Sequence, residues 1–150
     1  MIKAIAFDFD GVLADSNQLK HDAYFAILPE SDHILVKTIL ADTNVVQTRT
    51  AVFRTMLVKK GLFGEKLDFE ASRFSGLYNN FVQEGIEGMG LVPGAQDTLR
   101  KLSEKYSLYI NSHTPEDALL ETVVRLGIGH LFKGVSGRKN INSKKSEVLR

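Results

Sequence analysis

The chain has 150 residues, 43% of them hydrophobic and 25% charged, with a formal net charge of +1 and no cysteine. That length favours one domain with room for an insert, and the composition is that of an ordinary globular chain rather than a disordered or fibrous one. The near-neutral charge gives no footprint for nucleic acid or an anionic membrane surface, and the lack of cysteine excludes disulfides, thiol catalysis and thiolate-bound zinc.

Residues 2–7, IKAIAF, are a short and mostly apolar run, the pattern of a buried parallel strand. No basic, apolar and small-residue succession precedes it to read as a signal peptide, and no apolar run is long enough for a bilayer, so the expectation is a cytoplasmic protein. A polar turn follows, with Asp10, Gly11, Asp15 and Ser16. Four helical segments are predicted next: 17–28, ended by Pro29; 33–40; 45–60, stopped by Gly61; and 67–82, where Leu67, Phe74, Leu77, Tyr78 and Phe81 recur at roughly helical spacing.

Residues 85–94, GIEGMGLVPG, hold four glycines and a proline and predict a hinge or linker. Beyond them the pattern is α/β: a helix over 94–105, a strand over 107–112, and a helix over 115–126 with Pro115 in its first turn and Glu116 and Asp117 near its positive end. A weak strand over 131–135 and a last helix capped by Ser143 complete the chain. No internal repeat or low-complexity stretch is present. The order predicts an α/β fold, a Rossmann-like parallel sheet core from residues 1–15 and 89–150 with an inserted α-helical domain over 16–88.

The chemistry gathers at the end of the first strand. Asp8 belongs to the strand end and Asp10 to the turn, and in open α/β sheets ligands bind just outside the carboxyl ends of strands. Gly11 permits the tight turn that follows. Two acids so spaced can divide the work of phosphoryl transfer. One attacks phosphorus; the other protonates the leaving oxygen and then takes a proton from water. A divalent, oxygen-loving cation would keep the first ionised and offset the phosphate charge. The alternative is that both acids merely cap the next helix.

The whole string Phe7-Asp8-Phe9-Asp10-Gly11-Val12-Leu13-Ala14-Asp15-Ser16 resembles the first motif of the haloacid dehalogenase superfamily. The helical insert resembles the cap of that superfamily's phosphoglycolate-phosphatase-like and β-phosphoglucomutase-like branch. The resemblance implies that Asp8 is the nucleophile and a Mg²⁺ ligand, and that Asp10 is the general acid/base and binds Mg²⁺ through its backbone carbonyl. It makes Gly11 a candidate substrate-binding position. Dehalogenases proper lack the second acid, so Asp10 implies phosphoryl transfer rather than cleavage of a carbon–halogen bond.

Ser112-His113-Thr114-Pro115-Glu116 resembles the Ser-Gly-Thr-Pro-Glu variant of the second motif. It implies that Ser112 donates a hydrogen bond to the transferring phosphoryl group, with Thr114 beside it. His113 stands where a small residue is common, and reads either as a substrate contact or as a solvated loop residue. For the third motif, a lysine acting as a point charge on phosphate, Lys145 in Lys145-Ser146-Glu147-Val148-Leu149 fits best, with Lys144 and Lys139 as alternatives.

The fourth motif, an acidic cluster on a further strand, has no counterpart in the chain. Without its strand the first strand would be an exposed edge, so the expectation is that these residues belong to a longer polypeptide that supplies the rest of the core. In the insert, Arg49 and Arg54 read either as a clamp on an anionic or hydroxyl-rich leaving group or as ordinary surface arginines. Lys59 and Lys60 suit a helix's negative end. His21, His33 and His130 have no metal-ligand spacing, and Phe53, Met56 and Leu57 read as core. The function implied is Mg²⁺-dependent hydrolysis of a small phosphorylated metabolite through an aspartyl-phosphate, with no nucleic-acid or membrane partner. A phosphomutase, hinted at by Thr48-Arg49, and a non-catalytic binder of phosphate ligands are the alternatives.

Overall fold

The structure is a computed structural model and describes residues 2–45 and 48–139. In chain order the elements are β1 (Ala4–Phe7), α1 (Asn17–Ile27), α2 (Glu30–Ala41), α3 (Arg49–Lys59), α4 (Gly64–Met89), α5 (Ala95–Ser103), β2 (Ser107–Pro115), α6 (Glu116–Arg125), a 3₁₀ turn (Gly129–Leu131) and β3 (Gly134–Arg138). The described residues form two compact units. Those up to Leu19 join those from Gln83 onward, and Lys20–Val82 make the other. This contact boundary runs inside the 16–88 insert read from the sequence. Among the described residues no helix is long and apolar enough to cross a membrane.

The first unit is built on a 3-stranded parallel sheet in the order β1-β2-β3. Parallel neighbours require crossover connections, and α6 is the crossover from β2 to β3. The apolar side chains of β2 and of the helices packed on it form the core: Leu99, Leu108, Ile110, Leu119, Val123 and Ile128 are each at most 2% exposed. The register sets Phe7 opposite Ile110 and Asn111 opposite Ser136, so all three strands deliver their carboxyl ends to one edge.

β1 departs from the sequestered strand its apolar run predicts: Ala4 and Ala6 are exposed and Ile5 and Phe7 half-buried. Among the described residues only β2 pairs with it. The last strand also differs, lying at Gly134–Arg138 rather than over 131–135. The 3₁₀ turn takes the amide of Leu131 to the Ile128 carbonyl and that of Phe132 to the Gly129 carbonyl, so neither can enter a ladder. The chain rejoins the sheet where Lys133 N donates to the Leu108 carbonyl at 2.8 Å.

The second unit is all helical. Its core is aromatic. Phe53, fully buried, stacks on Phe74 at 5.6 Å between ring centroids and meets Tyr24 and Tyr78 at 5.4 and 6.1 Å. Met56 and Leu57 are buried with it, as the sequence predicts. α3 starts at Arg49 rather than near residue 45 because Thr48 caps it, its hydroxyl accepting from Ala51 N at 3.2 Å. α2 begins at Glu30, directly after Pro29, with Glu30 and Asp32 in its positively polarised first turn. Asp32 is almost buried, and Lys60 Nζ bonds both of its oxygens at 2.6 and 2.7 Å.

The hinge predicted over 85–94 is helical for half its length. α4 runs unbroken to Met89, and Gly90, at φ +72°, ends it.

Candidate active site

The segment after β1 folds into a tight turn. The Phe9 carbonyl accepts from the amides of Val12, Leu13 and Ala14 at 3.3, 2.9 and 3.1 Å, and Gly11 N donates to the Ala14 carbonyl at 2.7 Å. Gly11 sits at φ +74°, a conformation that favours glycine; a Cβ there would lie 2.6 Å from Asn17 Nδ2, the far end of an exposed side chain that can turn away. Val92 N donates to the Leu13 carbonyl at 2.9 Å, tying the returning chain to the turn. A cleft of about 390 Å³ opens beside it, lined by Gly11, Asp15 and residues 89–93.

This turn sets Asp8 half-buried at the strand end, its Oδ1 accepting from Phe9 N at 2.8 Å. Asp10 lies further on and turns toward the end of β2. Its Oδ1 accepts from the Ser16 hydroxyl at 2.5 Å. Its Oδ2 accepts from the Thr114 hydroxyl at 2.7 Å and more distantly from the Ser112 hydroxyl at 3.4 Å. Ser112 Oγ in turn accepts from Thr114 N at 3.1 Å. Ser16 and Ser112 are buried, so these hydroxyls hold the carboxylate from the protein side. Side chains alternate along a strand. Ser112 and Thr114 therefore face Asp10, and His113 between them is exposed.

Asp10, Ser112 and Thr114 are thus brought together with Asp8 on the neighbouring strand end, from residues more than a hundred positions apart in sequence. Arg49 belongs to the helical unit, where its guanidinium donates to Asn79 Oδ1 at 3.1 Å; Arg54 there pairs with Asp68. Lys144, Lys145 and the Ser143 cap lie outside the described residues, while Lys139 Nζ sits 3.8 Å from Glu116. His21 contacts Asp22, His33 the Leu28 carbonyl, and His130 is exposed. The Asp8 carboxylate and the Asp10 carbonyl are hard oxygen donors of the kind Mg²⁺ takes. Among the described residues no group of three or more acids or histidines is gathered around a metal position.

Sequence reading missed three residues. Ser16, read as part of the turn and as the end of the first motif string without a role of its own, is a direct partner of Asp10. Glu116, read as a helix-end charge and as the end of the second-motif string without a role of its own, accepts from Gly137 N at 3.3 Å and Ser136 Oγ at 3.5 Å. Gly137 is packed so that a Cβ would lie 2.5 Å from Glu116 Cα. A glycine inside a strand pattern is the one local signal of such an approach.

The fold is shared with solved structures at low identity. A haloacid dehalogenase-like family hydrolase from Streptococcus pneumoniae matches at 23% identity and TM-score 0.58, over 99% of this chain and 67% of that one. A predicted phosphoglycolate phosphatase from Haemophilus somnus matches at 19% and 0.58, over 95% and 65%. A 2-haloacid dehalogenase from Pseudomonas syringae matches at 18% and 0.62, over 91% and 64%. The chain therefore spans about two thirds of the length of these structures. No curated protein matches the sequence. The model of the haloacid dehalogenase-like hydrolase family matches residues 2–147, and the chain belongs to that family.

Proposed function

We propose that the full-length protein is a Mg²⁺-dependent phosphatase of small phosphomonoesters. The observation that carries this reading is Asp10, a second carboxylate two residues beyond Asp8, held by the Ser16 and Thr114 hydroxyls. A hydrolase that displaces halide from carbon has no leaving oxygen to protonate, whereas a phosphatase needs an acid for its leaving alcohol. The Asp8 carboxylate attacks phosphorus and the ester P–O bond breaks, with Asp10 protonating the departing alkoxide. Water then attacks the aspartyl-phosphate, giving its proton to Asp10, and inorganic phosphate leaves Asp8 free. Ser112 donates to a phosphoryl oxygen, and Lys145 adds a positive charge. Mg²⁺, held by Asp8 and the Asp10 carbonyl, would offset the charge of the phosphate.

Arg49, in the helical unit, is the candidate to read an anionic leaving group. Arg49 stands at the positively polarised start of α3 and donates to Asn79 Oδ1 at 3.1 Å, and its guanidinium fork suits a phosphate or carboxylate.

The test is phosphate release from a panel of phosphomonoesters, with and without Mg²⁺, beside Asp8→Asn. Mg²⁺-dependent release that falls about a thousandfold or more in the variant is the expected result. No release from any ester by a folded, Mg²⁺-binding protein would overturn it. A requirement for a bisphosphate activator would point to a mutase instead.

A further inference from the structure

We propose that Glu116 is a positioning residue for the phosphoryl-transfer site, locking the end of β3 against a bulge in β2 and so fixing Ser112 and Thr114 on Asp10. The role in catalysis rests on the phosphatase reading; the lock itself does not.

The ladder between β2 and β3 is regular up to Asn111 opposite Ser136, and resumes at Pro115 opposite Arg138. Between these pairs β2 carries Ser112, His113 and Thr114, while β3 carries only Gly137. The excess residues bulge out of the ladder, and they are the ones that present hydroxyls to Asp10. A bulge breaks the ladder's pairing, and a buried amide left over must find another acceptor. Gly137 is buried, and its N–H goes to Glu116 Oε2 at 3.3 Å. The Ser136 hydroxyl joins it at 3.5 Å, and Lys139 approaches Oε1 at 3.8 Å.

The side chain of Glu116 thus replaces the ladder bond that the bulge removes. The fit is close: a Cβ on Gly137 would lie 2.6 Å from the Thr114 carbonyl oxygen and 2.7 Å from Glu116 N. Thr114 is therefore held on three sides. Its carbonyl lies against Gly137, its amide donates to Ser112 Oγ at 3.1 Å, and its hydroxyl donates to Asp10 at 2.7 Å. Releasing Glu116 frees the face of Thr114 that β3 now blocks.

The experiment compares the full-length protein with Glu116→Ala, which removes the acceptor, and Glu116→Gln, which keeps one oxygen. Turnover on the best ester should fall about 10- to 100-fold in kcat for Glu116→Ala with KM little changed, and Glu116→Gln should recover most of it. Amide hydrogen exchange supplies a readout independent of turnover. Glu116→Ala should speed exchange at Thr114 and Gly137 about tenfold while the interior amides of α6 keep their rates. Unchanged kcat and exchange in Glu116→Ala, equal losses in both variants, or acceleration spread over the whole unit would each overturn the proposal. If the wild-type protein hydrolyses no ester, the phosphatase reading falls, and exchange at Thr114 and Gly137 still decides the lock.

Discussion

Tyr24 is 7% exposed, and burial pushes its phenol up from 10.0 to about 12, partly offset by the Tyr78 hydroxyl and the positive charge of Arg49. The folded protein holds this proton more tightly than the unfolded chain. Above pH 10 unfolding releases it, so stability falls as pH rises from 10 through about 12. The loss is on the order of 2 kcal/mol once both forms are ionised. Urea unfolding at pH 9 and pH 11.5 should show it, and Tyr24→Phe should flatten that part of the pH dependence. An equally steep decline in Tyr24→Phe would assign the effect to other groups. At this same scale, the meeting of Asp10 with Ser112 and Thr114 was legible because these residues sit in short motifs at strand ends. Ser16 and Glu116 close the same two motif strings, yet their partners were not legible, because a hydroxyl or carboxylate in a turn or first helical turn has many local partners, and only the fold selects Asp10 for one and Gly137 for the other.

Among the elements, α4 shows how the sequence misleads. Glycines at 85, 88, 90 and 94 read together as a hinge, yet they do different things. Gly90 and Gly94 take φ +72° and +79°, ending α4 and preceding α5. Gly88 is exposed, with nothing near its missing Cβ, whereas a Cβ on Gly85 would meet both Leu19 methyls at 2.6 Å. The buried positions Tyr78, Val82 and Ile86 carry the apolar spacing straight through the glycines, and that packing outweighs about 1 kcal/mol of lost propensity at each. Gly88→Ala should therefore stabilise the protein by about 0.5–1 kcal/mol in chemical denaturation. Gly85→Ala should fall short of that gain, and Leu19→Ala in the same background should restore it. Equal gains from Gly85 and Gly88 would mean that Leu19 yields freely. The other elements were legible to within a few residues, because Pro29, Gly61 and Pro115 punctuate the chain where turns or caps lie. β3 was displaced because the apolar Leu131 and Phe132 close a 3₁₀ turn instead of entering the ladder.

For the molecule as a whole, the sheet unit is assembled from two separate stretches of chain, and Gln83 is the first residue of the second. Its buried amide donates to the Ala118 carbonyl at 2.7 Å and accepts from the Thr122 hydroxyl at 2.7 Å, stitching the returning chain to α6. Gln83→Leu, close in volume but without the amide, removes both bonds and leaves Thr122 its bond to Ala118 at 2.8 Å. It should cost about 1–3 kcal/mol in urea unfolding, and a neutral result would show the stitch to be dispensable. The helical unit has a different consequence. The chain has four tyrosines and no tryptophan. Tyr24 and Tyr78 are buried with their rings 4.8 Å apart beside Phe53, while Tyr109 is exposed and Tyr106 half-buried. Rings so closely coupled in an asymmetric setting dominate near-ultraviolet dichroism. The chain therefore carries a built-in optical reporter on the unit that lacks Asp8 and Asp10, and a melt followed at tyrosine wavelengths records the helices rather than the sheet.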